Sequence, residues 1–160
     1  MSDIDDELTA GYRRFRTEHW PAARAEYEAL AELGQKPHTL IVACSDSRAD
    51  PALIFDAAPG QLFVVRNVAN LVPPYEPDGL LHGVSAALEF GVKVLNVRRI
   101  VVMGHAHCGG VDAMLNGAPD ICADFVAPWV AQGSAVVRRV AEEVSEDQVE
   151  GAAEEAVVRL

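Results

Sequence analysis

Three cysteines occur in this chain, an odd number that cannot all pair internally, so metal binding or burial must account for them. Two sit in short clusters of groups that bind metals or move protons. One cluster is Cys44-Ser45-Asp46-Ser47-Arg48, and the other is His105-Ala106-His107-Cys108-Gly109-Gly110. Two thiolates and an imidazole suit zinc, which binds sulfur and nitrogen donors at about 2.0–2.3 Å in tetrahedral geometry. Three protein donors leave one position free, the pattern of a catalytic site. Taken singly, each has a plainer reading: Cys44 as a buried apolar cysteine, His105 as a loop histidine capping a sheet, Cys108 as a helix-entry thiol. The short His105–Cys108 separation, next to a strand end and followed by glycines, favours the metal. Cys122 has no partner at ligand spacing and reads as structural.

Asp46 and Arg48 lie two apart in a run that leaves a strand. A bidentate guanidinium there would fix the carboxylate's orientation and keep it ionised, fit to take a proton from water on the metal. A strand-end salt bridge without a chemical task is the alternative. Gly109 and Gly110 open a helix after Cys108, where backbone donors favour a thiolate, though turn chemistry explains them almost as well. His107 and His82 are candidate proton relays or simply exposed histidines.

The elements that must position these clusters follow from apolar periodicity. Pro21–Leu33 reads as a helix, preceded by another amphipathic stretch and closed by Gly34. The apolar run Leu40–Ala43 reads as a strand buried on both faces that ends at Cys44. DPALIFDAAPG predicts a short helix, residues 62–69 a second buried strand, and the proline-rich VPPYEPDG a loop. Leu81–Val97 has helical spacing, and Arg99–Gly104 is the third strand. Short, long and terminal helical patterns follow: VDAMLNG, about Asp124 to Val144, and EGAAEEAVVRL. Strand and helix alternate, so the fold class is α/β with a parallel sheet flanked by helices. In such a sheet the ligand crevice lies beyond the carboxyl ends of the strands, where both clusters arrive.

At 160 residues the chain has the size of one domain, and half of it is hydrophobic. The net charge of -11 repels phosphate backbones and anionic headgroups, which argues against nucleic acid and membrane as partners. The opening residues lack the basic and apolar regions of a signal peptide, and no apolar run approaches the roughly 20 residues of a membrane span. The cytoplasm is the expected compartment.

ACSDSR and GHAHCGG, together with FVVRNVANLVPPYEPDG and HGVSAALEFGV, resemble β-class carbonic anhydrases over roughly residues 35–110. The resemblance implies reversible hydration of carbon dioxide to bicarbonate and a proton through zinc-bound hydroxide. Zinc would sit on Cys44, His105 and Cys108, with Asp46 and Arg48 as a catalytic dyad and Asp46 as a conditional fourth ligand. It also implies an apolar substrate wall of Phe63, Val68 and Phe90, with contacts from the Gln35 amide and Gly109. Core packing is the alternative for the three apolar residues, and a solvated loop amide for Gln35. Members often carry Tyr where Phe90 stands. Ile41 replaces a tryptophan of a second, inhibitory bicarbonate site, so that site is expected to be missing and an open zinc favoured. Two thiolates cancel the zinc charge, so the rate should climb with pH. Hydrolysis of carbonyl sulfide or carbon disulfide, or zinc binding without catalysis, are the alternatives.

The resemblance further implies a homodimer or higher homo-oligomer, with a helical arm over residues 1–34, including the region of Trp20, crossing onto a partner. The whole of 1–160 would be one domain. The family continues with another core strand beside the third, which the sequence does not supply, so a fragment or truncated product is expected.

Overall fold

The computed structural model describes residues 3–159. It forms two compact units that meet in sequence at Gln35 and Lys36. The first is helical throughout: α1, Asp3–Arg14, a π turn at Phe15–His19, and α2, Trp20–Leu33. Pro21 was expected to start a helix, yet the helix runs through it. Proline cannot donate to the carbonyl four residues back, and the chain absorbs this by widening locally. Trp20 N–H donates to Phe15 O across the π turn. Phe15, Trp20 and Tyr27 pack their rings together, with centroids 5.4–6.2 Å apart, and Arg16 lies over Trp20.

The second unit is built on three parallel strands in the order β2-β1-β3. These are β1, Thr39–Cys44, β2, Leu62–Asn67, and β3, Arg99–Met103. Register runs from Thr39 opposite Leu62 and Arg99 to Cys44 opposite Asn67 and Ala43 opposite Met103. β1 is the apolar run TLIVAC, and its central place explains why Leu40–Cys44 are all buried. Of the two outer strands, β2 was expected to be buried as well. Both are only half-buried, and Val64 and Ile100 are exposed, because each strand has a paired neighbour on one side alone.

Side chains alternate between sheet faces. Leu40 meets Gly91 of α4, Gly83–Lys93, on one face. Met103, on the opposite face by register, packs against the buried cluster shared by α5 (Gly109–Asn116), α6 (Val126–Glu143) and α7 (Val149–Val158). Helices therefore cover both faces, as alternation of strand and helix requires. No helix among the described residues is long and apolar enough to cross a membrane.

Two local expectations change. The helix drawn from DPALIFDAAPG is only α3, Pro51–Ile54, started by Asp50, whose carboxylate accepts from Ala52 N and Leu53 N. It stops because Asp56 turns left-handed at φ 46°. β2 ends at Asn67 rather than residue 69. The Asn67 side chain accepts Leu71 N–H at 2.8 Å and donates to Leu71 O at 2.9 Å, stapling a turn in which Ala69 and Asn70 adopt positive φ.

A Cβ at Gly91 would lie 2.5 Å from Leu40 Cδ1 and 3.4 Å from Phe63 Cδ1. Leu40 is wholly buried and has nowhere to swing. Gly91→Val is therefore expected to lower unfolding free energy by about 1–3 kcal/mol, read as a drop in the urea midpoint at unchanged slope.

Candidate metal centre

β1 and β3 deliver their carboxyl ends side by side, and the loops that leave them meet. Cys44 Sγ, a nitrogen of His105 and Cys108 Sγ all lie within 4.8 Å of one another. The two sulfurs are 3.9 Å apart, and both cysteines are buried. His105 Nδ1 faces the Ala106 carbonyl at 3.0 Å, so a proton on Nδ1 has an acceptor and Nε2 keeps its lone pair. Nε2 is buried with no hydrogen-bond partner among the described residues. A buried, unpartnered imidazole nitrogen beside two thiols is costly unless something fills the space between them. Soft sulfur and borderline nitrogen donors fit zinc.

The thiols are unlike. Burial opposes ionisation of Cys44, but hydrogen bonds, that from the Asp46 backbone foremost and then that from the Ala69 backbone, outweigh it and draw its pKa below the usual thiol value. Burial, and then the charge of Cys44, push Cys108 up despite help from the Val111 and Gly110 backbone. Cys44 is thus the easier of the two thiols to ionise, and a cation between the sulfurs would favour the thiolate form of both.

Asp46 stands outside the donor cluster and is bound by Arg48. Its Oδ1 accepts from Arg48 N at 2.9 Å and Nε at 3.0 Å, and its Oδ2 from Nη2 at 2.9 Å. These bonds hold the carboxyl well below the usual carboxylate range. Arg48 Nη2 also donates to His107 O at 3.1 Å, tying the loop after β1 to the loop after β3. His107 sits at φ 54°, a left-handed turn that presents this carbonyl.

Val68 and Gly109 lie at this edge. Val68 follows Asn67, the residue opposite Cys44, and its Cγ1 would be 2.9 Å from a Cβ on Gly110. Gly109 opens α5 directly after Cys108. Phe63 and Phe90 pack on each other, with centroids 5.9 Å apart, but elsewhere. Phe63 lies opposite Leu40, four register steps from Cys44, or roughly 13 Å along the strand. The chain does not bring these two rings to its own thiol pair. Gln35 is an exposed residue that closes the N-terminal unit. Cys122 lies in a short 3-10 turn, half-buried, away from the donor cluster.

Sequence reasoning passed over the residues that support the site. Arg66 on β2 donates from Nε to Cys44 O at 2.9 Å, from Nη2 to Asp46 O at 2.6 Å and from Nη1 to Asp50 Oδ2 at 3.0 Å. A charge inside an apolar strand run is the signal that could have singled it out. Trp129 Nε1 donates to Val68 O at 2.8 Å, and Glu154 accepts Cys108 N–H at 3.0 Å. Nothing in their local sequence announces either contact. Arg66→Ala would strip two backbone carbonyls and a carboxylate of their donor at once. A loss of about 2–4 kcal/mol of stability is expected by chemical denaturation.

Comparison with known proteins gives one answer. The carbonic anhydrase family model matches residues 39–160. A carbonic anhydrase of Synechococcus elongatus is 42% identical over 109 residues, covering 68% of this chain and 39% of that protein. Beta carbonic anhydrase 3 of Arabidopsis thaliana is 35% identical over 164 residues, covering 97% of this chain and 62% of that protein. This chain therefore spans less than two thirds of the length of either relative. Among solved structures, the β-carbonic anhydrase CcaA superposes with a TM-score of 0.86 at 29% identity, over 99% of this chain and 71% of its own. With a parallel sheet that joins two cysteines and a histidine at one edge, and a family match over most of its length, the chain belongs to the β-class carbonic anhydrases.

Proposed function

We propose that the chain carries a zinc-dependent carbonic anhydrase site for the reversible hydration of carbon dioxide. The observation that carries this reading is the convergence of Cys44, His105 and Cys108 on one point, with His105 Nε2 buried and without a hydrogen-bond partner among the described residues. These three residues would hold the ion. When bound, zinc supplies the Lewis acidity that makes water nucleophilic near neutral pH.

The chain's own residues supply orientation and proton handling. Asp46 Oδ2 takes one bond from Arg48 and Oδ1 takes two, so Oδ2 is the freer proton acceptor. Because Arg48 keeps Asp46 ionised, the carboxylate would hold a proton only briefly and pass it on. Occupation of both oxygens by Arg48 supports the open site over coordination by Asp46, which remains a conditional ligand in this proposal. Val68 and the Gly109 backbone border the site from this chain. Gln35, Phe63 and Phe90 belong to the substrate wall if a second copy supplies them.

Self-association is part of the same reading. Leu53 and Ile54 of α3, Phe55 just after it, and Leu80 and Leu81 of the loop before α4 are exposed apolar side chains that a homodimer or larger homo-oligomer would cover. The three cysteines are free, which fits a reducing compartment, and we place the protein in the cytoplasm.

The test combines metal analysis with stopped-flow CO2 hydration. One zinc per chain is expected, with catalysis rising from neutral to mildly alkaline pH. Cys108→Ser is expected to lose both metal and turnover. Stoichiometric zinc without acceleration of hydration would defeat the catalytic reading.

Asp46→Asn and Arg48→Ala are expected to keep zinc but lower the hydration rate by about 10²–10⁴-fold, the usual weight of a positioned acid–base group. Metal content and rate measured on the same samples separate the dyad from the ligands.

A further inference from the structure

We propose that one stripe of α7 is the positioning element for the His105–Cys108 ligand loop, and that Glu154 is its principal residue. The inference rests on the reading of Cys44, His105 and Cys108 as metal ligands. Glu150, Glu154 and Val158 are four residues apart in succession, so they share one helical face. All three meet the loop that leaves β3. A Cβ on Gly104 would lie 2.8 Å from Val158 Cγ2, Glu150 Oε1 faces His107 Nδ1 at 3.1 Å, and Glu154 Oε1 accepts Cys108 N–H at 3.0 Å.

The three contacts differ in weight. His107 and Glu150 are exposed, and such a pair contributes little. Glu154 is half-buried and its partner belongs to a residue only 3% exposed. Cys108 is the N-cap of α5, where the first N–H groups have no carbonyl of their own helix to bond. A carboxylate satisfies one of them at the positive end of the helix dipole. α7 can serve as an anchor because Ala153 and Val157, on its inner side, are buried in the core. On the far side Arg48 holds His107 O, so the loop is gripped from both flanks. Glu154 touches no reacting atom. It sets the place of the Cys108 sulfur through the backbone of that residue.

Zinc affinity, measured against a chromophoric chelator, and the visible spectrum of the cobalt-substituted protein read this directly. Glu154→Ala is expected to weaken zinc by about 10- to 100-fold, as loss of a ligand's outer hydrogen bond does, and to shift the cobalt–thiolate bands. Glu154→Gln keeps an oxygen acceptor at the same reach and should restore both to near the parent. Glu155→Ala, on the same helix but paired with Arg159, should change neither. Parent-like affinity and spectrum in Glu154→Ala, or a Gln variant no better than Ala, overturns the proposal. If Glu154→Ala does not fold, Glu154→Asp withdraws the oxygen while keeping the charge, and parent-like affinity there overturns it equally. A parent that binds neither ion overturns the metal reading and this inference with it, whereas tight binding by both parent and Glu154→Ala overturns this inference alone.

Discussion

Two sulfur atoms held 3.9 Å apart in a buried place are the constraint around which the rest of this unit is arranged. Cys108 does not gain by being there, and Cys44 ionises more easily only through its hydrogen bonds. Burial resists the charge of each, and once one ionises it resists the other. The fold offsets this with position, with hydrogen bonds to the Cys44 sulfur and with the positive charge of Arg48, which acts on both thiols. Cys44 ends the central strand, Cys108 starts a helix, and the parallel register of β1 with β3 brings the two loops to one edge. A dication that accepts both sulfurs and the free nitrogen of His105 resolves the conflict, which is why a polar gap in an otherwise packed cluster reads as a site and not as a flaw.

Arginines hold the walls of that gap. Arg48 joins the loops after β1 and β3 through Asp46 and the His107 carbonyl, while Arg66 binds two carbonyls of the Cys44–Asp46 turn and the capping carboxylate of Asp50. A guanidinium suits this work because its donors diverge in a fixed plane and stay charged. Steric limits complete the frame. Gly110 lets α5 settle on the Val68–Ala69 turn, where a Cβ would come within 2.7 Å of Ala69 Cβ and 3.1 Å of its backbone nitrogen. Ala69 accepts a left-handed φ of 64° because Asn67 brackets the turn from both ends. The same turn offers its Ala69 backbone to the Cys44 sulfur.

Some of this was legible in the chain. The ligand types, the closeness of His105 to Cys108, the Asp46–Arg48 spacing and the alternation of strand and helix are local features. They depend on side-chain chemistry and on backbone periods of about 2 and 3.6 residues. Element boundaries were less legible where a polar side chain intervenes. The Asn67 staple ended β2 early, and the left-handed Asp56 ended α3 after a single turn. The π turn before Pro21 has a different cause, since the helical pattern continues through a residue that cannot donate.

The sequence by itself determined the metal-ligating residue types, the Asp46–Arg48 spacing, the α/β order and the family. Within each cluster the chemistry is carried by residue types at short spacing, which no folding is needed to see. Only the tertiary structure decided which neighbours support them. Arg66 under Cys44, Glu154 on Cys108 and Trp129 on Val68 are contacts across 22, 46 and 61 residues. So is the separation of Phe63 and Phe90 from the thiol pair of their own chain, which follows from a register the local pattern cannot express. The reason is physical. Periodicity fixes which face a side chain takes, but strand order, register and helix packing fix what that face meets.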